Sequence, residues 1–338
     1  MKKIIVTGGC GYIGSHTIIE LLDNGFEVVS IDNLSNATEN VLESIRKITE
    51  KRVKNYAVDL CDLAKTRQVF GENSDAVGII HFAALKSVGD SMEQPLVYFE
   101  NNLMSLLHIL RCMTEFDIKN LLFSSSCSVY GNAQTLPVTE ETPWQTAESP
   151  YGRTKQMGEQ IISDFLRCHT DFNAILLRYF NPAGAHESAL LGESPRNKPN
   201  NLVPIIIETA AGKRDSFTVF GNDYDTRDGS CIRDYIHVMD LANAHLRAMN
   251  TLLGGKQGNN CDVFNVGVGE GVTVLEAINA FEKVSGIRPN FHLGARRAGD
   301  VVAIYSDYQK AARELGWQPR RNIEDIMRTA WAWHLAQK

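Results

Sequence analysis

The run Lys3-Ile4-Ile5-Val6-Thr7 passes without a break into Gly8-Gly9-Cys10-Gly11-Tyr12-Ile13-Gly14, and this strand-to-glycine transition limits the available folds more than any other stretch. Glycines 9, 11 and 14 satisfy G-x-G-x-x-G, glycines 8, 11 and 14 satisfy G-x-x-G-x-x-G, and a helical pattern opens directly behind them. A turn without side chains lets backbone N–H groups approach a pyrophosphate, and the N-terminus of the next helix adds unpaired donors and the positive end of its dipole. A second apolar run, 27–31, ends at Asp32, 18 residues beyond Gly14, where a carboxylate can accept hydrogen bonds from a ribose 2′-hydroxyl and would repel a 2′-phosphate. Asn33 and Leu34 follow, with no arginine to hold such a phosphate. The pattern therefore predicts a dinucleotide site for NAD, formed by Gly8, Gly11, Tyr12, Ile13, Gly14, Asp32 and Asn33, with Asp59 and Leu60 beyond the third strand as an adenine contact. An aspartate at a strand end is equally a helix cap.

Through the first half, short β-branched runs at 3–7, 27–31, 53–58, 77–82, 121–124 and 174–179 alternate with amphipathic stretches. Strands joined by crossover helices imply an α/β, Rossmann-type doubly wound parallel sheet. Val41, Leu42, Ile45 and Ile48 keep helical spacing, as do Leu103, Leu106, Leu107 and Leu110, and both stripes read as core. After residue 180 the text becomes loop-rich: Asn181-Pro182, Pro195, Pro199 and Asn200-Asn201 precede a helix at 204–211. The expected division is a dinucleotide domain at 1–180 and a smaller C-terminal substrate domain at 181–338, with segments near 233–268, including a strand at 263–266, returning to the first sheet. Residues 221–229 read as an exposed loop.

Tyr151 and Lys155 stand four residues apart on a helix begun at Pro150, a spacing that chance also produces in a chain with ten tyrosines and 34 lysines and arginines. Position gives it weight, because the pair follows the fifth strand and its Ser124-Ser125-Ser126 terminus, and doubly wound folds keep their sites at the carboxyl ends of the strands. Bringing a phenol down to neutrality requires about 4 kcal/mol. One cation at about 4 Å supplies that much at an effective dielectric near 20. Lys155 with an oxidised nicotinamide would suffice, and Ser126 would share the hydrogen bond of the substrate hydroxyl. The predicted catalytic set is Tyr151, Lys155 and Ser126.

Together, Gly8 to Gly14, Ser126 and Tyr151 to Lys155 resemble the extended short-chain dehydrogenase/reductase family, which acts largely on nucleotide sugars. His81-Phe82-Ala83-Ala84-Leu85-Lys86, Arg178-Tyr179-Phe180-Asn181-Pro182, Asn200-Asn201-Leu202, Arg233-Asp234-Tyr235-Ile236-His237-Val238 and Arg297-Ala298-Gly299-Asp300 resemble its UDP-glucose (UDP-galactose) 4-epimerase branch over nearly the whole chain. The resemblance implies that Asn36, Phe82, Ala83, Lys86, Asn101, Ser124, Tyr179 and Phe180 lie along the cofactor. It implies that Lys86, Ser126, Tyr151, Asn181, Asn201, Leu202, Phe220, Arg233, Tyr235, Arg297 and Asp300 hold a UDP-hexose, whose diphosphate suits the forked donors of Arg233 and Arg297. The activity implied is interconversion of UDP-galactose and UDP-glucose through a 4-keto sugar that turns over before hydride returns. Cys10 departs from the usual Ser or Ala and could crowd the turn or make it oxidisable; Ala84 departs from a frequent Gly. Ile304 stands where this branch is thought to gate 2-acetamido sugars.

A 4,6-dehydratase shares the first step but needs an acid and a base for elimination, and the positions that carry Asp and Glu in dehydratases are Cys127 and Ser128 here. A non-catalytic dinucleotide sensor on the same fold is the other alternative. A net charge of −6 argues against a general nucleic-acid binder. No apolar stretch approaches the roughly 18 residues of a membrane span. Gly8-Gly9 ends the first apolar run too early for a secretory leader, and seven scattered cysteines without a Cys-x-x-Cys pair suit a reducing compartment, so a cytoplasmic protein is expected. The nine histidines include no H-E-x-x-H or i, i+4 pair, so no metal site is expected, and His237 and His245 read as structural. The family resemblance also implies a homodimer through helices around 103–110 and 161–166.

Overall fold

The computed structural model describes residues 1–194, 199–255, 258–297 and 301–337. Seven parallel strands form the central sheet: β1 (Lys3–Thr7), β2 (Glu27–Ile31), β3 (Lys54–Tyr56), β4 (Ala76–His81), β5 (Asn120–Ser124), β6 (Asn173–Tyr179) and β7 (Cys261–Val266). Their spatial order is β7-β6-β5-β4-β1-β2-β3, so the direction of winding reverses between β1 and β4. That reversal opens a crevice at the carboxyl ends of the strands. The inner strands are mostly apolar because both faces are covered, whereas the edge strand β3, Lys54-Asn55-Tyr56, is polar. Ile4 and Val6 point to one face, with Ile18, Leu241 and Met249 of the helices Tyr12–Asp23 and Val238–Leu253. Ile5 points to the other, with Leu106, Ile109 and Ile162 of Pro95–Phe116 and Pro150–Cys168.

Beyond residue 180, β7 apart, the strands have only two to four residues. Asn181–Ala183 pairs with Tyr235–His237, Phe217–Phe220 with Phe291–Gly294, and Ile232–Arg233 lies between Val272–Thr273 and Ala303–Ile304. A separate apolar cluster, including Ile206, Phe281 and Ile326, packs the helices Leu202–Ala210, Val274–Ser285 and Ile323–Ala336.

Three sequence expectations need adjustment. The third strand stops at Tyr56, two residues before Val58, because it is the edge of the sheet and pairs only with β2. The helix expected from Pro204 begins at Leu202, which leaves the proline in the first turn, where its missing N–H has no intrahelical partner to lose. Leu107 is not core: it is 38% exposed beside Met104 at 41%, on the outward side of Pro95–Phe116. Among the described residues, no helix is long and apolar enough to cross a membrane and no group of three His, Cys, Asp or Glu side chains could hold a metal.

Candidate active site

The glycine turn is shaped by backbone needs. Gly8 has φ +67°, its N–H donates to Ile31 O at 2.8 Å, and a Cβ there would lie 2.8 Å from Ala83 N. A Cβ at Gly14 would fall on the Gly8 carbonyl oxygen. A side chain at Gly8 would strike the backbone just after β4, and one at Gly14 would strike the turn itself. That helix has Gly11 as its N-cap, with no capping side chain and no acid in its first turn, which leaves its leading N–H groups to an anion. Asp32 accepts from Cys10 N at 3.0 Å and Leu34 N at 2.9 Å, and burial raises its carboxyl above the usual range. These features fit a dinucleotide's pyrophosphate and ribose. Tyr12 ties the same helix across the molecule by donating to Gly184 O at 2.6 Å.

Cys10 does not crowd the turn. Its thiol is buried against Ser30, with Sγ and Oγ 3.9 Å apart, and burial pushes it up to about 12, so it is neither ionised nor presented to oxidants. Asp59 accepts from Cys61 N at 2.9 Å within the turn after β3, while the Leu60 side chain is in the core. Asn33 accepts from Ser35 N, and Asn36 is exposed.

At the carboxyl ends of β4, β5 and β6 the remaining candidates converge. Ser149 caps the helix Pro150–Cys168 by accepting from Gly152 N at 3.1 Å, and Pro150 occupies its first position, which fixes Tyr151 and Lys155 one turn apart on one face. Lys155 is buried and its Nζ donates to Ser124 O at 2.7 Å, beneath the Tyr151 ring with 5.8 Å to the centroid. Ser126 caps the short 3₁₀ turn Cys127–Tyr130 by accepting from Ser128 N, and its hydroxyl also reaches the Tyr151 phenol. Burial drives that phenol well above its ordinary value; neighbouring Tyr179 adds to the rise and the Ser126 hydrogen bond opposes it. Burial lowers Lys155 to about 8, against the pull of Glu159.

Lys155 is thus held beneath the Tyr151 ring, inside the protein. Its ammonium is anchored on a strand carbonyl, and in the protein alone desolvation dominates at Tyr151. Tyr179 meets the Ser124 hydroxyl and packs toward His245, as does Phe82, with 4.6 Å between the Phe82 and His245 ring centroids. The Asn101 side chain donates to Asn102, which holds both N–H and C=O of Leu85.

The other group of candidates lies on the short strands. Arg233 donates to Ile232 O at 2.8 Å and acts electrostatically on Cys127 and on buried Tyr235. The Arg297 guanidinium carbon stands 5.5 Å from the Phe220 ring centroid. Asn181 N donates to Asp234 O at 3.0 Å. Asn201, just ahead of Leu202, and Lys86 both reach Glu193, at 3.3 and 3.5 Å. Asp300 lies outside the described residues. Ile304 is packed among Val129, Tyr130, Val138 and Phe180.

Sequence reading missed Asp234 and Glu193. The Asp234 carboxylate accepts from the N–H groups of Val268, Gly269 and Ser306 and from the Ser306 hydroxyl, and so fixes the link between the strand that ends in Arg233 and the one that begins with Tyr235.

A glycine cradle and a Ser–Tyr–Lys corner on one crevice of a doubly wound sheet place the chain among the extended short-chain dehydrogenases and reductases. Residues 5–330 match the family model described as GDP-mannose 4,6 dehydratase. A UDP-glucose 4-epimerase of Bacillus subtilis is 45% identical over 98% of this chain and 96% of the relative. The crystal structure of a UDP-glucose 4-epimerase from Bifidobacterium longum in complex with NAD+ and UDP superposes with a TM-score of 0.95 at 43% identity, covering 99% of this chain and 98% of that one. A UDP-glucose 4-epimerase from Stenotrophomonas maltophila with bound NAD and formylated UDP-arabinopyranose gives 0.96 at 41%, covering 100% and 99%. The chain belongs to the matched family and, within it, to the UDP-glucose 4-epimerases.

Proposed function

We propose that this chain interconverts UDP-galactose and UDP-glucose by inverting C4 of the hexose. The observation that carries the reading is the anchoring of Lys155 on Ser124 O, which sets Tyr151 beside Ser126 at the strand ends next to the glycine cradle. The Gly8–Gly14 turn and Asp32 would hold NAD, which would supply reversible hydride-transfer chemistry at C4 of the hexose and would remain with the protein between turnovers. Tyr151 takes the proton of the 4-hydroxyl, Ser126 shares that hydroxyl's hydrogen bond, and Lys155 supplies positive charge below the phenol. Because burial holds the phenol up, Lys155 and the cofactor's positive ring are needed together to bring it down. Arg233 and Arg297 hold the diphosphate, which puts the affinity in the nucleotide and leaves the hexose free to turn.

Elimination to a 4-keto-6-deoxy sugar is not favoured. The Cys127 thiol, where dehydratases carry an acid, is pushed up to about 12 by burial and stays protonated through neutral pH. Residues 1–180 form the dinucleotide domain and 181–338 the substrate domain in this reading, with β7 as the returning strand. Met104 and Leu107, exposed beside a groove of about 470 Å³ lined by Leu110, Ile161 and Phe165, support a homodimer through these two helices. Seven unpaired cysteines support a cytoplasmic setting.

The test is to supply purified protein with UDP-galactose and no added NAD and to assay UDP-glucose, which is expected to form. A 4-keto-6-deoxy product would favour elimination, and bound NAD without turnover would favour a sensor.

A further inference from the structure

The Ser–Tyr–Lys corner rests on a buried ion pair that the proposed chemistry does not itself use. Glu159 lies four residues beyond Lys155, one turn along the same helix. Its carboxylate receives Arg178 Nε at 3.0 Å and Nη2 at 2.7 Å, and the Ser125 hydroxyl as well. The two charged side chains are only 3% and 6% exposed. Arg178 comes from β6 and also donates to the Tyr130 hydroxyl at 3.0 Å, which in turn donates to Asn265 at 2.6 Å. One carboxylate thus joins the Tyr151 helix, the end of β5 and β6.

Lys155 grips Ser124 and Glu159 grips Ser125, so the helix is pinned twice to the turn that presents Ser126. Packing alone does not explain the arrangement. Withdrawing two charges from water costs several kcal/mol each, and well-packed apolar residues of similar volume are often as stable or more so.

Electrostatics gives the pair a task. Besides Glu159 and Arg178, the titratable groups that face Lys155 are His81 from β4, Tyr151 on its own helix, and Tyr179 from β6 through Ser124. Burial lowers His81 to about 3 and raises both phenols, to about 12 at Tyr179, so all three are uncharged near neutrality. Glu159 is the negative charge that opposes the burial of Lys155.

We propose that Glu159, clamped by Arg178 and Ser125, is a positioning residue for the Tyr151–Lys155 pair, locking the helix to the serine turn and holding Lys155 in its ammonium form. The role rests on the proton transfer assigned to Tyr151 and Lys155 above, and its test is readable without turnover.

The protein with its bound cofactor is labelled at lysine Cε with carbon-13, the Lys155 resonance is assigned by Lys155→Met, and its titration is followed in Glu159→Gln. Loss of an opposing carboxylate is expected to move the Lys155 titration about 1 pH unit lower. The alkaline limb of kcat moves with it, and the KM for UDP-galactose is unchanged. Glu159→Gln leaves Arg178 buried without its partner and can cost the fold, so Glu159→Gln/Arg178→Met, which removes both charges, is measured beside it and is expected to shift the same way. Glu159→Asp, which keeps the charge, restores most of the shift. A folded variant lacking the carboxylate whose Lys155 titrates at the wild-type pH, or whose kcat profile keeps its alkaline limb, overturns the proposal. A wild-type protein that does not epimerise would sink the functional reading and leave the lysine titration intact as a measurement.

Discussion

At the carboxyl edge of the long sheet the central candidate side chains are held by the backbone: Lys155 by Ser124 O, Asp32 by two amides, Tyr12 by Gly184 O. On the short strands beyond residue 180 the candidates are looser. Phe220 is 43% exposed, and Arg233 hangs from a two-residue strand that Asp234 secures only through its neighbours. The contrast matches the two tasks. Proton transfer tolerates little misplacement, whereas a nucleotide clamp has to release product and leave the sugar room to turn.

Tyr151→Phe tests the rigid side most severely. Turnover is expected to fall by about 10³-fold or more, with NAD still bound and the KM for UDP-galactose within a few-fold, measured by steady-state kinetics and cofactor content. A large rise in KM would break the contrast.

Arg233→Ala tests the looser side. The KM for UDP-galactose is expected to rise about 10- to 100-fold with little change in kcat, as befits loss of a charge-assisted contact made equally in ground and transition states. A fall in kcat at unchanged KM would move Arg233 into the chemistry.

Acid stability sharpens the comparison further. Burial lowers His81 and His237 to about 3 and His16 and His245 to about 4, and three of the four flank the long sheet. The unfolded chain binds these protons below about pH 6.5 while the folded chain refuses them, so each histidine favours folding fully above that pH. The contribution is lost as pH falls toward 4, by up to about 1.4 kcal/mol per histidine per pH unit. Urea midpoints are expected to drop steeply between pH 6 and 4.5, and His81→Gln should flatten the slope. Cys10→Ser and mild peroxide are expected to have the smallest effect, with NAD content unchanged, because the thiol faces Ser30 in the core.

Legibility in the sequence followed range. The glycine turn, Asp32 and the Tyr151–Lys155 spacing are local, since each depends on backbone or helix geometry within a few residues, and each could be read directly. Glu159 with Arg178, Asp234 with Ser306, and Glu193 with Lys86 take their meaning from partners 19, 72 and 107 positions away. No periodicity encodes such pairings. The same limit made Leu107 look like core, because an apolar stripe has one spacing whether it faces the sheet or the outside.

The sequence by itself determined a parallel sheet with a pyrophosphate turn at its first strand and a phenol paired with an ammonium on a later helix, because hydrophobic period, glycine geometry and helical spacing are properties of contiguous residues. Only the tertiary structure decided that Lys155 donates to a strand carbonyl, that burial raises the Tyr151 phenol and the Cys10 thiol in the protein alone, and that a hidden carboxylate opposes the burial of the lysine. Those outcomes depend on desolvation and on the distance between charges brought together by folding, and neither quantity exists until the chain has packed.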